Sequence, residues 1–128
     1  MRKLIKILLK DKIIFIAIFI AIAIGFLSLI KAPEPPIQIS YQDKIYHIIA
    51  YFTLALTWML SYPVSRQKKM IKYVIAFGCV FYGIIIEVLQ TTLTTYRTAS
   101  LLDILANSVG VFIALLIFNS IYKKIDAI

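Results

Sequence analysis

The sequence predicts an all-α membrane protein: one domain over residues 1–128, built as a four-transmembrane-helix bundle with both termini in the cytoplasm. Three observations carry this expectation. Hydrophobic residues make up 62% of the chain and charged residues 16%, where a soluble domain has about 25% charged. The apolar residues gather into four runs, 13–30, 45–62, 73–89 and 104–122, each of 17–19 residues. The basic residues concentrate beside the start of the first run, between the second and third, and after the fourth. A chain of 128 residues cannot hide that much apolar surface in a water-soluble core, because small domains bury a smaller fraction of their surface. Lipid is the solvent that the composition fits.

Each run is close to the ~20 residues that a helix needs to cross ~30 Å of hydrocarbon. In lipid every backbone group must be bonded internally, so the runs are expected as helices. The first, 13–30, lies between Lys12 and Lys31 and is followed by Pro33, Pro35 and Pro36. It is long for the apolar region of a signal peptide, and residues 28–32 (SLIKA) lack an A-x-A cleavage site, so it is read as a retained span. The second, 45–62, follows Asp43 and Lys44 and stops at Pro63. The third, 73–89, follows Lys72, and the fourth, 104–122, ends before Lys123.

Arg2, Lys3, Lys6, Lys10 and Lys12, then Arg66, Lys68, Lys69 and Lys72, then Lys123 and Lys124 account for 11 of the 14 basic residues. Basic residues stay on the cytoplasmic side, which places the N-terminus, the middle loop and the C-terminus inside. The net charge of +8 is thereby read as topology, and no nucleic-acid partner is expected. The single Cys79 excludes an intramolecular disulfide and a cysteine-based zinc site.

Ionisable and amide side chains in membrane helices are costly and mark functional candidates. Here they fall into three groups, all expected at the outer face. Asp43, Lys44, His47 and Tyr51 open the second run. Asp43, His47 and Tyr51 stand four apart, so they share a stripe about 80° wide. Asp43 is expected to accept a hydrogen bond from His47 and fix its tautomer. Glu87 and Gln90, three apart, close the third run on one face, with the small residues Cys79 and Gly83 continuing that face inward to let a neighbouring helix approach. Arg97, Asp103 and Asn107 follow, with Gly110 next along the same side.

Plainer roles exist for each. Ser40-x-x-Asp43 and Ser100-x-x-Asp103 have the spacing of capping boxes. Tyr51 fits the aromatic belt, Glu87 fits an ion pair with Arg97 that sets geometry, and Gln90 and Asn107 fit interhelical hydrogen bonding. His47, Glu87 and Asp103 offer three metal ligands from three helices, but catalytic zinc sites generally use more histidine than the single one here. No metal and no cofactor are expected.

The segment DKIYHIIAYFTLAL (43–56), followed by GIIIEVLQ (83–90), Arg97 and DILANSVG (103–110), resembles the two signatures of the VanZ-like family, over roughly residues 43–114. Ala114 stands where the family often has a second glycine. The resemblance implies a small multi-span protein of the bacterial inner (cytoplasmic) membrane. It also implies a link to the cell envelope and to antibiotic resistance against teicoplanin-type lipoglycopeptides, which carry a fatty chain and act at the outer membrane surface.

Three functions are open on this reading. In the first, the outer cluster binds the headgroup of a membrane lipid or lipid-linked envelope precursor, with Tyr51, Gln90, Arg97 and Asn107 as ligand-binding residues. In the second, the protein is an acid–base enzyme on such a lipid, with His47, Glu87, Asp43, Arg97 and Asp103 as the catalytic set. In the third, the polar residues only hold the bundle together. A homo-oligomer is compatible with all three.

Overall fold

The structure, a computed structural model, describes residues 2–30, 42–61, 69–94 and 100–126. They form four helices: α1 (Arg2–Leu29), α2 (Gln42–Ser61), α3 (Lys69–Leu93) and α4 (Leu101–Asp126). No strand occurs among the described residues. Every helix starts before the apolar run that predicts it, and α3 and α4 also end beyond theirs, because backbone hydrogen bonding does not stop where hydrophobicity does. The polar overhangs suit the helix dipole: Asp43 and Asp103 lie in the first turns of α2 and α4, and Lys123 and Lys124 in the last turn of α4.

Segments of α1, α3 and α4 (Lys12–Leu29, Met70–Leu93 and Leu101–Lys124) are long and apolar enough to cross a membrane. The shorter α2 is not among them, since Gln42, Asp43, Lys44 and His47 occupy its first two turns. Its position explains why it tolerates them. It packs most extensively against α4 and also touches α1 and α3, so it is the central helix. Its Tyr51, Leu54, Ala55 and Met59 meet Ala76 and Cys79 of α3 and Val111, Ala114 and Phe118 of α4 in the core.

The outward faces are apolar. Phe15, Phe19, Ile22 and Phe26 line α1, Phe77 and Phe81 lie on α3, and Phe112 and Leu116 on α4, all exposed. Only 11% of the α1 segment is buried, against 33% for α3 and α4, so α1 is the peripheral helix. In water such surfaces would be penalised by about 25 cal/mol per Å². A surrounding hydrocarbon removes that penalty, and the chain is a multi-pass membrane protein.

α2 and α4 run parallel at close range. Their contacts climb both helices in step: Lys44 meets Asp103, His47 meets Asn107, and the backbone at Ile48 and Phe52 meets Gly110. A Cβ on Gly110 would lie 2.9 Å from Phe52 N and closer still to Ile48 O, so only glycine permits this approach. Gly83 serves the α3 side, where a Cβ would meet Asn107 Nδ2 at 2.9 Å and Tyr51 Cε1 at 3.1 Å.

Two side chains of α3 fasten α1. Tyr82 Oη donates to Ala21 O at 2.5 Å, and Gln90 Nε2 donates to Ser28 O at 2.8 Å. Ser28 O belongs to the last turn of α1, where carbonyls lack helical partners. Replacing Tyr82 with Phe should therefore loosen α1 by about 1 kcal/mol, the usual net worth of one hydrogen bond. Thermal unfolding in detergent should show a lower midpoint with unchanged helix content.

Candidate functional site

The start of α2, the end of α3 and the start of α4 meet at one end of the bundle, and the end of α1 borders them. This meeting gathers the polar residues that the sequence scatters. His47 Nδ1 lies 2.8 Å from Asn107 Oδ1. Lys44 Nζ donates to Asp103 Oδ1 at 2.5 Å and to Asp43 Oδ2 at 2.6 Å. His47 Nε2 is 3.9 Å from Asp103 Oδ1. Glu87 Oε2 accepts a hydrogen bond from the backbone N–H of Ser100 at 3.3 Å. One ligand atom from each of His47, Glu87 and Asp103 lies within 4.8 Å of the others.

Asn107 Oδ1 can only accept, so it assigns the proton of the neutral imidazole to Nδ1. The Nε2 lone pair then faces the carboxylates. Asn107 thus takes the orienting role expected of Asp43. Asp43 lies on the exposed first turn of α2, at 62% side-chain exposure, and pairs with Lys44 instead. The hydrogen bond from Lys44 holds the Asp43 carboxyl below its usual pKa. Lys44, which burial alone would push down, is raised by its bonds to Asp103 and Asp43.

Glu87, Gln90, Asn107 and Tyr51 are all at most 2% exposed. Glu87 Oε1 and Asn107 Nδ2 have no hydrogen-bond partner among the described residues. Gln90 points away from this cluster to α1. The capping box expected at Ser100 and Asp103 is not reciprocal: Asp103 N donates to Ser100 O at 3.1 Å, while Glu87 Oε2 accepts the Ser100 N–H and the Asp103 carboxylate accepts from Lys44 Nζ. Arg97, with its expected pairing to Glu87, and Ser40 lie outside the described residues. Lys44 stands in the first polar group of the sequence, without an expected site role there. What the sequence does not reveal is its bond to Asp103, which spans 59 residues.

A cleft of about 340 Å³ opens beside the cluster between α1 and α2, lined by Ile24, Leu27, Ser28, Asp43, Tyr46, His47, Ala50 and Tyr51. A second, apolar groove of about 650 Å³ lies among α1, α2 and α3, lined by Ala21, Leu54, Trp58, Ile71, Val74, Ile75, Gly78, Cys79 and Tyr82. Tyr51 of the first and Tyr82 of the second stand next to each other, with ring centroids 6.5 Å apart. The two cavities are thus lined by neighbouring rings, one cavity with a polar wall and one almost wholly apolar.

The chain is 38% identical over 109 residues to an uncharacterized protein of Schizosaccharomyces pombe, an alignment covering 85% of this chain and 64% of the relative. This chain thus spans somewhat less than two thirds of the relative's length. No solved structure gives a significant match. The model of the VanZ/LLP1 family matches residues 13–122, which includes all four apolar runs and every polar group just described, and the chain belongs to that family.

Proposed function

We propose that the protein holds an amphiphilic lipid, with its polar headgroup beside Asp43 and His47 and its acyl chain in the apolar groove. One observation carries this reading: a polar-walled cleft and an apolar groove are lined by the neighbouring rings of Tyr51 and Tyr82. Ligand sites of this kind combine a largely apolar lining with a few convergent polar groups. On this reading all four helices span the membrane, α2 within the bundle. The basic flanks keep both termini in the cytoplasm and leave the cluster at the outer face. Arg97 pairs with an anionic headgroup, bidentately where that group is a phosphate or carboxylate. In a bacterial cytoplasmic membrane such a site meets lipid-linked envelope precursors, and protection against teicoplanin-type lipoglycopeptides is the phenotype that this reading expects there.

The test is native mass spectrometry of the detergent-purified chain with its co-purifying lipids. A Cβ on Gly78 meets nothing within 4 Å, so Gly78→Phe should fill the groove without disturbing the core. Gly78→Phe and His47→Ala should each lower lipid occupancy at least tenfold while the helix content stays unchanged. Wild-type occupancy in both variants would sink the proposal.

Catalysis on the same lipid is favoured by one feature, the bare Nε2 of His47 turned toward Asp103 and Glu87. There His47 acts as general base, Glu87 as acid or second base, and Arg97 stabilises developing negative charge. A turnover that follows a histidine pH profile in wild type and vanishes in His47→Gln would establish it.

A further inference from the structure

We propose that His47, Glu87 and Asp103 bind a single divalent transition-metal cation of the zinc class. The three side chains come from three different helices, yet one ligand atom of each lies within 4.8 Å of the other two. Ligands around zinc stand 2.0–2.2 Å from the ion, hence ~3.5 Å from one another. The widest separation exceeds that by only about 1.3 Å, within the reach of side-chain rotation.

Four further features point the same way. Asn107 Oδ1 binds His47 at Nδ1, which is how structures fix the tautomer of a metal-ligating histidine through its other ring nitrogen. The Nε2 lone pair is thereby presented to the carboxylates. Glu87 is 1% exposed, and its Oε1 has no partner among the described residues. A buried carboxylate oxygen so placed needs a proton or a cation. Glu87 Oε2 is already held by Ser100 N–H, so the carboxylate is oriented as a ligand's outer contacts orient it.

Charge gives the fourth. Among the described groups the carboxylates of Asp43, Glu87 and Asp103 outnumber the one ammonium, Lys44. That excess of carboxylates favours a cation at the cluster. An imidazole with two carboxylates suits zinc and its neighbours, whereas calcium takes six to eight oxygens and magnesium keeps much of its water. Three protein ligands leave a fourth position open. Lys44 shares Asp103 Oδ1 and competes with the ion at that oxygen. Its second partner, Asp43, offers it a place to withdraw to.

This site stands independently of the lipid reading and is tested without any lipid substrate. The full chain in detergent is stripped with a chelator and titrated with cobalt(II), whose visible absorption reports coordination, and with zinc against cobalt. The expected result is one ion per chain, tight enough to survive gel filtration, with a thermal midpoint raised by zinc and lowered by chelator. His47→Ala and Glu87→Gln should weaken binding at least about 100-fold, more than the 10–100-fold typical of losing an outer-shell partner. Lys44→Met should keep the ion and hold it more tightly, because the competing cation is gone. A stripped wild-type chain with no cobalt spectrum and no zinc-dependent midpoint would overturn the proposal. So would unchanged affinity in a folded His47→Ala. Should either ligand variant misfold, the wild-type midpoint and Lys44→Met decide alone.

Discussion

Gly110→Val should separate α2 from α4 and leave little folded protein in the membrane. The reason is the identity of the atoms in the way. A Cβ at position 110 meets Ile48 O and Phe52 N, both backbone atoms of α2. A flexible side chain can swing aside, but a helix backbone cannot without moving the whole helix. Overpacking a well-fitted interior costs about 1–3 kcal/mol, and a backbone clash in the most extensive seam of the bundle belongs at or above the top of that range. Even Gly110→Ala should lower the thermal midpoint markedly. Gly78→Ala is the matched control: its Cβ meets nothing within 4 Å, and trading glycine for alanine in a helix gains about 1 kcal/mol of propensity. Fluorescence-detected gel filtration and thermal melts of the three variants check this. A Gly110→Ala protein as stable as wild type would mean that α2 and α4 do not run this close.

The seam also shows what the sequence made legible. The three-and-four spacings of Asp43, His47 and Tyr51, of Glu87 and Gln90, and of Asp103 and Asn107 are helical arithmetic, and each group does occupy a helix face at the same end of the bundle. Gly83 and Gly110 were readable as places of close approach because a small residue between large apolar ones has few other uses in such a helix. The four described helices were countable because each contains an apolar run, and three of them are long and apolar enough to cross a membrane.

Partnership across helices was not legible, since spacing within one helix says nothing of which rotamer faces which neighbour. The spacing of Asp43 and His47 suggested a bond between them. The fold instead gives His47 to Asn107, 60 residues away, and Asp43 to Lys44. Gln90 shares a face with Glu87 but stands nearer the end of α3, where it reaches the last turn of α1. The single histidine argued against a metal on composition. Composition carries no distances, and the proposal rests on the 4.8 Å gathering of His47, Glu87 and Asp103 together with the partnerless Glu87 Oε1.

Asn107→Leu should disable the site while leaving the bundle assembled. Asn107 is 2% exposed, its Oδ1 receives the His47 Nδ1–H, and its Nδ2 has no partner among the described residues. Leucine has the same four-heavy-atom branched outline, so it is the apolar replacement that changes the shape of α4 least, and the unpartnered Nδ2 disappears with the amide. The loss falls on His47, whose Nδ1–H then has no acceptor in a half-buried position. Leaving one such donor unsatisfied costs about 1–3 kcal/mol, which the ring can avoid by turning Nδ1 to the Asp103 and Glu87 carboxylates. That flip removes the bare Nε2 from the cluster. Because the chain has one histidine, nitrogen NMR of labelled imidazole reports the change without overlap from any other ring. The wild-type spectrum should show a protonated Nδ1 and an unprotonated Nε2, and Asn107→Leu should reverse them or average the two. Binding at the site should fall about 10–100-fold, as when an orienting partner of a ligand histidine is lost. An Asn107→Leu protein with the wild-type tautomer and undiminished binding would show that His47 is oriented by something other than α4.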